Sequence, residues 1–374
     1  MQASGIPRGL EDVVVTTSAI TFIDGRQGRL IYRGYDIREL ARFSTFEETA
    51  YLLWYGHLPK PGELNELSRK LAALRELPSG VRKVLEALNP GTPPMEALRT
   101  GVSALSSFEP EETKGPQTSL EGALRLTAVL PTLVSTFHRL RQGEPPVSPR
   151  PELNHASNLL YMMTGRPPSI TDAHVLDVAL ILHADHELNA STFAARVTAS
   201  TLSDLYSAVT SAVGTLKGPL HGGANERVMD MVEEIHRPEG AEAYVLKKLH
   251  EHEKVMGFGH RVYKVEDPRA TILREFAKNL AKEKGDPLPF EILRKVEEVV
   301  RREKGLYPNV DLYSGPCYRL LGIPKDLFTP LFAASRVAGW TAHVLEEYAD
   351  NRLIRPTARY TGPTELRYVP LAER

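Results

Sequence analysis

Hydrophobic residues recur along most of this chain at intervals of three or four positions, which is the period of an amphipathic helix. One clear example is a single stripe of leucines at Leu64, Leu67, Leu71 and Leu74, with Pro61 placed to begin the helix. The same spacing predicts further helices over residues 120–140, 154–164, 172–186, 202–216, 228–235, 239–254, 270–284, 289–304 and 327–348. An all-α fold is therefore predicted.

Local signals indicate where some of these helices begin, end or bend. The sequence Thr45-Phe-Glu-Glu48 is a capping box, and the apolar run after it continues to Gly56. Pro131 lies inside the helix predicted over 120–140, and we expect it to kink that helix or split it in two. The prolines in residues 143–151 indicate a connector between helices.

Strand signals are confined to the N-terminal part of the chain. Residues 16–23 and Arg29–Tyr32 are rich in β-branched and aromatic side chains, and Asp24-Gly25 between them favours a tight turn. The prediction is a small N-terminal β-hairpin on an otherwise helical protein. No motif recurs with a period of 20 to 50 residues, which argues against a solenoid.

The helices are predicted to form two domains of unequal size. Residues 224–308 are more charged than the segments on either side of them. We interpret this region as a smaller helical domain inserted into a larger one. The predicted boundaries give a large domain of residues 1–222 and 322–374 and a small domain of residues 223–321.

Composition narrows the classes of function. Hydrophobic residues make up 42% and charged residues 25% of the 374 positions, with a formal net charge of -1. These values are ordinary for a globular protein, and the charge argues against nucleic acid or a membrane surface as a partner. The one cysteine, Cys317, excludes an internal disulfide. The N-terminus lacks a secretory signal pattern and no apolar run is long enough to span a membrane, so a cytoplasmic location is expected.

Three loops place a titratable side chain beside glycine, proline or asparagine. They are Gly218-Pro-Leu-His221-Gly-Gly, Gly257-Phe-Gly-His260-Arg-Val-Tyr-Lys and Tyr307-Pro-Asn-Val-Asp311. Two histidines and a carboxylate are suited to general acid–base catalysis. Each of these groups taken singly is also common as a helix cap or as a partner for backbone groups. The loops therefore leave a catalytic and a structural interpretation open.

Other polar residues were weighed in the same way. His183 and His186 lie three positions apart, but they lack the spacing and the further ligands of a zinc site, and we predict no metal. Cys317 is interpreted as a small core residue. Arg336 lies in an apolar helical stretch, where a guanidinium must be paired with a carboxylate of the protein or with an anionic ligand.

Taken in order, these motifs resemble those of the citrate synthase family. The resemblance includes His183-Ala-Asp-His186-Glu, Asp267-Pro-Arg269, Ser335-Arg336 and Arg355-Pro356, and it extends over nearly the whole chain. It implies a nearly all-α homodimer whose active site lies in the cleft between the two domains. Closure over oxaloacetate would form the site for acetyl-CoA. The family needs no permanent cofactor and no metal; acetyl-CoA is a co-substrate.

The resemblance also implies roles for individual residues. Asp311 would remove a proton from the methyl group of acetyl-CoA, His221 would donate to the thioester oxygen, and His260 would donate to the ketone oxygen of oxaloacetate. Five residues would surround or bind oxaloacetate, with Arg355 contributed by the other subunit: His186, Arg269, Phe332, Arg336 and Arg355.

The same family pattern implies where coenzyme A would bind. Lys264 would contact its phosphates, with help from Arg261. The backbone of a short segment would line the adenine recess: Val255, Met256, Gly257, Phe258 and Gly259. Phe258 stands where some relatives have tyrosine.

The sequence is compatible with three alternatives to a citrate synthase. A 2-methylcitrate synthase uses propionyl-CoA with the same catalytic loops, and one methylene changes transition-state binding by only about 1–3 kcal/mol. A citryl-CoA lyase would run related chemistry in the direction of cleavage. A non-catalytic, CoA-binding helical protein would use the same loops only as turns.

Overall fold

Helices account for most of the computed structural model, which describes residues 7–111 and 114–374. In chain order the α-helices of this part are α1 Ile37–Phe43, α2 Phe46–Tyr55, α3 Pro61–Ala73, α4 Ser79–Glu86, α5 Pro94–Leu105, α6 Ser119–Arg141, α7 His155–Thr164, α8 Ile170–His183, α9 Ala190–Ser200, α10 Leu205–Leu216, α11 Ala224–Ile235, α12 Ala241–His250, α13 Pro268–Lys284, α14 Leu288–Lys304, α15 Val310–Leu320 and α16 Phe328–Ala349. The all-α prediction is confirmed.

The predicted hairpin forms the first two strands of a small antiparallel sheet. Strand β1 covers Thr21–Asp24 and pairs with β2, Arg29–Tyr32, in a register that places Asp24 opposite Arg29. A short third strand, β3 at Tyr35–Asp36, continues the sheet in the order β1-β2-β3. Strand β1 is shorter than predicted. Strand β3 was not predicted, because a strand of two residues is too short to show an alternation of apolar and polar positions.

Helix α2 begins and ends where the sequence predicts, although the structure shows only one of the two hydrogen bonds of the capping box. The Thr45 side chain accepts a hydrogen bond from the Glu48 N–H at 3.2 Å, and Gly56 ends α2 with a φ of 83°. Pro131 was predicted to kink α6 or to split it in two, and the split does not occur, because one continuous helix contains the proline. Its residues from Gly122 to His138 are nearly all buried, so packing on all sides offsets the backbone hydrogen bond that proline removes.

Two helix ends near the predicted site differ from the sequence interpretation. Asp311, predicted in a loop, lies in the first turn of α15, where the Asn309 side chain accepts a hydrogen bond from its N–H at 3.0 Å. The helix predicted over residues 172–186 is α8, which ends at His183, so His183 and His186 do not lie on the same helix. Asn309 is the cap that begins α15, and it was interpreted only as part of a turn.

A continuous hydrophobic core connects these elements. Helix α16 packs against α2, α6, α8, α9 and α10, and the Trp340 side chain at its middle is fully buried. Helices α11 to α15 pack mainly on one another. They fall within the predicted small domain, whose boundaries stay a prediction. In the described part of the chain, no helix combines the length and the hydropathy needed to cross a membrane.

After α16 the chain leaves the core as an extended tail of residues 350–374. Nearly all of its side chains are exposed, and several are large and apolar: Leu353, Tyr360, Leu366, Tyr368 and Leu371. Arg355 lies on this tail and is itself exposed.

Candidate active site

Most of the predicted site residues lie at or beyond the ends of helices, whereas Phe332 and Arg336 lie within α16. His221 lies in the turn between α10 and α11, and His260 lies in the loop between α12 and α13. The Phe332 ring of α16 lies 6.5 Å from the ring of His221 and 4.6 Å from the guanidinium carbon of Arg336. The ring centroids of His186 and His260 are 5.1 Å apart.

His221 is held as a neutral imidazole with a defined tautomer. The backbone N–H of Ser191 lies 3.3 Å from its Nε2, and the Ser191 hydroxyl lies 2.8 Å from the same nitrogen. Because a backbone N–H can only donate, we assign Nε2 as the acceptor and place the proton on Nδ1. Burial, reinforced by the positive charge of Arg336, lowers the pKa of His221 to about 4. The side chain therefore offers a neutral Nδ1–H donor at neutral pH.

His260 has the opposite tautomer. Its Nδ1 accepts hydrogen bonds from the backbone N–H groups of Val262 at 3.0 Å and Tyr263 at 3.1 Å, which leaves the proton on Nε2. Burial, with a further contribution from the positive charge of Arg269, lowers the pKa of His260 to about 4. The site thus contains two neutral imidazoles that present different nitrogens as donors.

The carboxyl group of Asp311 has the properties of a base that works near neutral pH. Burial raises the pKa of Asp311 to about 7, although the positive charges of Arg269 and Arg336 act in the opposite direction. No described residue donates a hydrogen bond to its carboxylate oxygens. Proton transfer is favourable when the pKa of the base lies close to the working pH.

The two arginines of the site differ in how their charge is balanced. Arg269 forms a bidentate pair with Asp267, with Nε and Nη2 at 3.0 and 2.7 Å from the two carboxylate oxygens, and both side chains are buried. Burial acts to lower the pKa of Arg269, but the adjacent carboxylate outweighs it and raises that pKa. The charge of Arg269 is therefore balanced by Asp267 within the protein.

Arg336 is buried without such a partner. Its Nε donates to the carbonyl oxygen of His183 at 2.6 Å, and its guanidinium lies over the Phe332 ring. Among the described residues, no carboxylate lies within ion-pair distance of Arg336, so the alternative of an internal salt bridge is wrong. Burial lowers the pKa of Arg336 to about 10. A buried cation without a counter-ion is a candidate site for an anionic ligand.

His186 connects the two halves of this arrangement. It is buried beyond the end of α8, and its Nε2 lies 3.3 Å from the hydroxyl of Tyr263. Burial, with the positive charge of Arg269 next in size, places the pKa of His186 well below its ordinary value. The imidazole is neutral, and it lies between the loop of His260 and the two arginines.

Sequence reasoning missed the residues that orient the histidines. Tyr263 contacts both His186 and His260, and it stands three positions after His260 in the same motif. Ser191 follows Asn189, which caps α9, and its hydroxyl accepts a hydrogen bond from the Trp340 indole N–H at 3.0 Å. The cap at Asn189 was a readable signal, but nothing in the sequence connects it to His221.

The loop of His260 and the start of α15 are fastened to each other. The Asn309 N–H donates to the Gly257 carbonyl at 2.9 Å, the Gly259 N–H donates to the Tyr307 carbonyl at 3.1 Å, and Phe258 forms a bridge with Pro308. A Cβ on Gly257 would lie 3.0 Å from the Cα of Leu312, so only glycine fits this approach. His260 and Asp311 are thereby held in a fixed relation.

The residues predicted for coenzyme A and for the second subunit lie at the surface of the chain. Lys264 and Arg261 are exposed, while Val255, Met256 and Phe258 pack partly against the core. Arg355 has no hydrogen bond or ion pair with any described residue. These assignments stay predictions.

The histidine pair at the end of α8 is engaged within the protein. The ring of His183 is buried, and its Nδ1 donates to the Ala179 carbonyl at 2.7 Å. Within residues 7–111 and 114–374, no group of three histidine, cysteine or acidic side chains is arranged to hold a metal ion.

Comparison with known proteins supports the interpretation of these motifs. The family model described as citrate synthase, C-terminal domain, matches residues 9–357. A citrate synthase of Haloferax volcanii is 50% identical over 99% of both chains, and a citrate/2-methylcitrate synthase of Bacillus subtilis is 42% identical over 95% of this chain and 96% of its own. A citrate synthase of Thermoplasma acidophilum, solved as a ternary complex with carboxymethyl coenzyme A and oxaloacetate, superposes with a TM-score of 0.93 at 36% identity and covers 99% of this chain and 100% of its own.

The resemblance inferred from the ordered loops is confirmed by the extent of these matches, since they cover the N-terminal sheet, both groups of helices and the helix that carries Arg336. The chain belongs to the citrate synthase family.

Proposed function

We propose that the protein condenses acetyl-CoA with oxaloacetate and water to give citrate and coenzyme A. The observation that carries this proposal is the pair of neutral imidazoles with opposite tautomers, His221 and His260, in the same site as a carboxyl group whose pKa lies near 7. A reaction that forms one enolate and consumes one ketone needs two separate donors and one base. The site supplies each of them once.

Oxaloacetate would bind first, at the buried cations. Its carboxylates would provide the counter-ion that Arg336 lacks, while Arg269 retains an Nη1 group that no described residue occupies. His186 would donate to the same substrate from the opposite side. The relative from Thermoplasma acidophilum was solved with oxaloacetate bound, which supports a dicarboxylate at the equivalent place.

Enolisation of acetyl-CoA would follow. Asp311 would take a proton from the methyl carbon, and the negative charge that develops on the thioester oxygen would be stabilised by the Nδ1–H of His221. A neutral imidazole is suited to this step, because it donates a hydrogen bond without carrying a charge that burial would oppose. The thioester bond between the acetyl group and coenzyme A would stay intact in this step.

Carbon–carbon bond formation would complete the condensation. The enol carbon would attack the ketone carbon of oxaloacetate, and the Nε2–H of His260 would stabilise the negative charge that develops on the ketone oxygen by a hydrogen bond. The proton that Asp311 removed from the methyl carbon balances the proton of the new hydroxyl group. The product, citryl-CoA, would then be hydrolysed to citrate and coenzyme A. The fastening of Gly257 to Asn309 keeps His260 and Asp311 in register through these steps.

Propionyl-CoA is the second candidate for the acyl substrate. The Bacillus subtilis relative is named for both citrate and 2-methylcitrate synthesis, and one methylene changes binding by only about 1–3 kcal/mol. The non-catalytic scaffold is less well supported, because it would leave both donors and the base without a task. The lyase would use the same groups in reverse, but the relatives described above are all named as synthases.

We further propose that the protein acts as a homodimer with two domains, residues 1–222 with 322–374 and residues 223–321. The exposed apolar side chains on the tail support a partner subunit, since an extended segment without a core gains stability by covering another surface. Arg355 would enter the site of that subunit. Lys264 and Arg261 would contact the phosphates of coenzyme A, with the backbone of residues 255–259 around its adenine.

The proposal is tested by release of free thiol. Purified protein supplied with oxaloacetate and either acetyl-CoA or propionyl-CoA should release coenzyme A, and the ratio of kcat/KM identifies the acyl substrate. Asp311→Asn is the matched control: it preserves the shape of the side chain and should abolish thiol release. Absence of turnover with both acyl-CoAs would refute the synthase function.

A further inference from the structure

The turn between β1 and β2 lies against the segment that follows His260 in the chain. The N–H of Lys264 donates to the Gly25 carbonyl at 2.8 Å. A Cβ added to Gly25 would lie 2.2 Å from the carbonyl oxygen of Val262, and one added to Gly28 would lie 2.9 Å from that of Glu266. The backbones touch at these points, and a side chain has no room between them.

Gly25 is required here for space and not for its backbone angles. Gly28 has a φ of 62°, whereas the φ of Gly25 lies outside the left-handed region, so any residue could adopt the backbone conformation of Gly25. The Asp24 side chain shapes the turn by accepting hydrogen bonds from the N–H groups of Arg26 and Gln27, both at 2.9 Å. The turn therefore presents a bare backbone surface in a fixed position.

The backbone under this turn is the one that sets the tautomer of His260. The carbonyl of Val262, against which Gly25 lies, belongs to the same planar peptide unit as the N–H of Tyr263. That N–H donates to Nδ1 of His260 at 3.1 Å. The next peptide unit is held by the hydrogen bond from Lys264 to Gly25. Displacement of the carbonyl would tilt the donor away from the imidazole.

We infer that Gly25 is a positioning residue for the condensation: by lying against the Val262 carbonyl, the turn of the N-terminal hairpin holds the Tyr263 N–H on Nδ1 of His260 and keeps the Nε2–H of that histidine available as a donor. This role rests on the proposed function of His260. The N-terminal hairpin would thereby take part in the chemistry of the loop between α12 and α13, although it lies over 200 positions away in the chain.

The surroundings of His260 make its tautomer sensitive to this support. The charged or titratable groups that face it are His186, Tyr263, Asp267, Arg269 and Lys264. No side chain of these residues donates to Nδ1, whose donors are the two backbone N–H groups. When one donor is lost, the proton can redistribute between the two ring nitrogens.

Gly25→Ala tests the inference directly. The added Cβ requires the Val262 carbonyl to retreat by roughly 1 Å, and a misplacement of this size near reacting groups lowers turnover by up to about 100-fold. We expect kcat to fall while the KM for oxaloacetate changes little, because Arg336 and Arg269 are not displaced. Gly62→Ala is the control, since a Cβ there meets nothing within 4 Å.

Nuclear magnetic resonance of protein labelled with ¹⁵N-histidine reads the tautomer without relying on turnover. In the wild type, His260, identified by its disappearance in His260→Gln, should show an unprotonated Nδ1 and a protonated Nε2. In Gly25→Ala the two signals should move towards each other. An unchanged tautomer in a folded Gly25→Ala protein, or an unchanged kcat, would overturn the inference.

Variants of Asp24 provide a second route if Gly25→Ala does not fold. Asp24→Ala loosens the turn without placing an atom in the contact, and it should shift the His260 signals in the same direction by a smaller amount. Asp24→Asn can accept the same two hydrogen bonds and should restore the wild-type signals. A wild type that shows the expected tautomer but no thiol release would refute the proposed function, whereas the support that Gly25 gives to the His260 tautomer would still be decided by the signals of Gly25→Ala.

Discussion

Removing a buried arginine usually destabilises a protein. Because no carboxylate among the described residues pairs with Arg336, we predict the opposite effect for this residue in the ligand-free protein. Burial lowers the pKa of Arg336 from 12.5 to about 10. Each pKa unit corresponds to 1.36 kcal/mol, so holding the charge in the ligand-free protein costs roughly 3 kcal/mol. Because the depressed pKa lies far above neutral, this cost is present throughout the ordinary pH range.

Arg336→Met removes the charge and retains most of the side-chain volume. The variant also loses the hydrogen bond to the His183 carbonyl, about 1 kcal/mol, and the contact of the guanidinium with the Phe332 ring, about 1 kcal/mol. The net effect without ligand is a gain of roughly 1 kcal/mol in the free energy of unfolding. Oxaloacetate at 100 times its Kd should stabilise the wild type by about 2.7 kcal/mol and the variant hardly at all.

The assay is urea denaturation followed by tryptophan fluorescence, with and without oxaloacetate, at one fixed protein concentration. Arg196→Met is the matched control, because Arg196 is equally buried but pairs with Glu346 and Glu347 at 2.8 and 2.9 Å. Removing it leaves carboxylates unpaired and should cost about 3–5 kcal/mol. A ligand-free Arg336→Met protein destabilised to the same extent as Arg196→Met would refute the reasoning.

Two further predictions concern the base and the closure of the site. Because burial raises the pKa of Asp311 to about 7, kcat/KM for the acyl-CoA should fall about tenfold per pH unit below pH 7, and a flat pH–rate profile would contradict this. Ionisation of Asp311 should also destabilise the folded protein as the pH rises from 3.8 through 7. Asp311→Asn should therefore unfold at a higher urea concentration than the wild type at pH 8 but not at pH 4. Lys284 on α13 pairs with Asp172 on α8 at 2.7 Å, a partly exposed ion pair of about 0.5–1 kcal/mol that joins the two proposed domains. Under the proposed closure of these domains over acyl-CoA, Lys284→Met should raise the KM for acyl-CoA two- to fivefold at low salt and less at high salt, whereas Lys295→Met, whose pair with Glu298 lies within α14, should leave that KM unchanged.

The fold was largely predictable because most helices carry one apolar stripe. Where both sides of a segment are buried the stripe disappears, and this is why α15 was interpreted as a loop even though Asn309 caps it. The end of α8 was misplaced for a related reason, since residues 175–183 are buried without interruption and give no change of pattern at His183. Boundaries of such segments depend on tertiary contacts, which a local pattern does not contain.

For the candidate site, the sequence predicted the residues but not their protonation states. His221, His260 and Asp311 stand in recognisable motifs, and the Asp267–Arg269 pair lies within one of them. The tautomer of His221, however, depends on the N–H of Ser191, which is 30 positions earlier. The missing counter-ion of Arg336 is a property of every element around α16 and has no local signature.

The contact between residues 257–259 and 307–309 has a consequence for how this architecture tolerates change. This contact joins the two ends of a long chain segment, residues 260–306, which contains α14 and the turn at Gly285. His260 lies at the first end of this segment, and Asp311 lies just beyond its second end. Because the two ends of the segment are already joined, lengthening the turn at Gly285 adds little to the entropic cost of closing the loop. Insertions at that turn that retain the Lys284–Asp172 pair would thus leave the relative position of Asp311 and His260 unchanged.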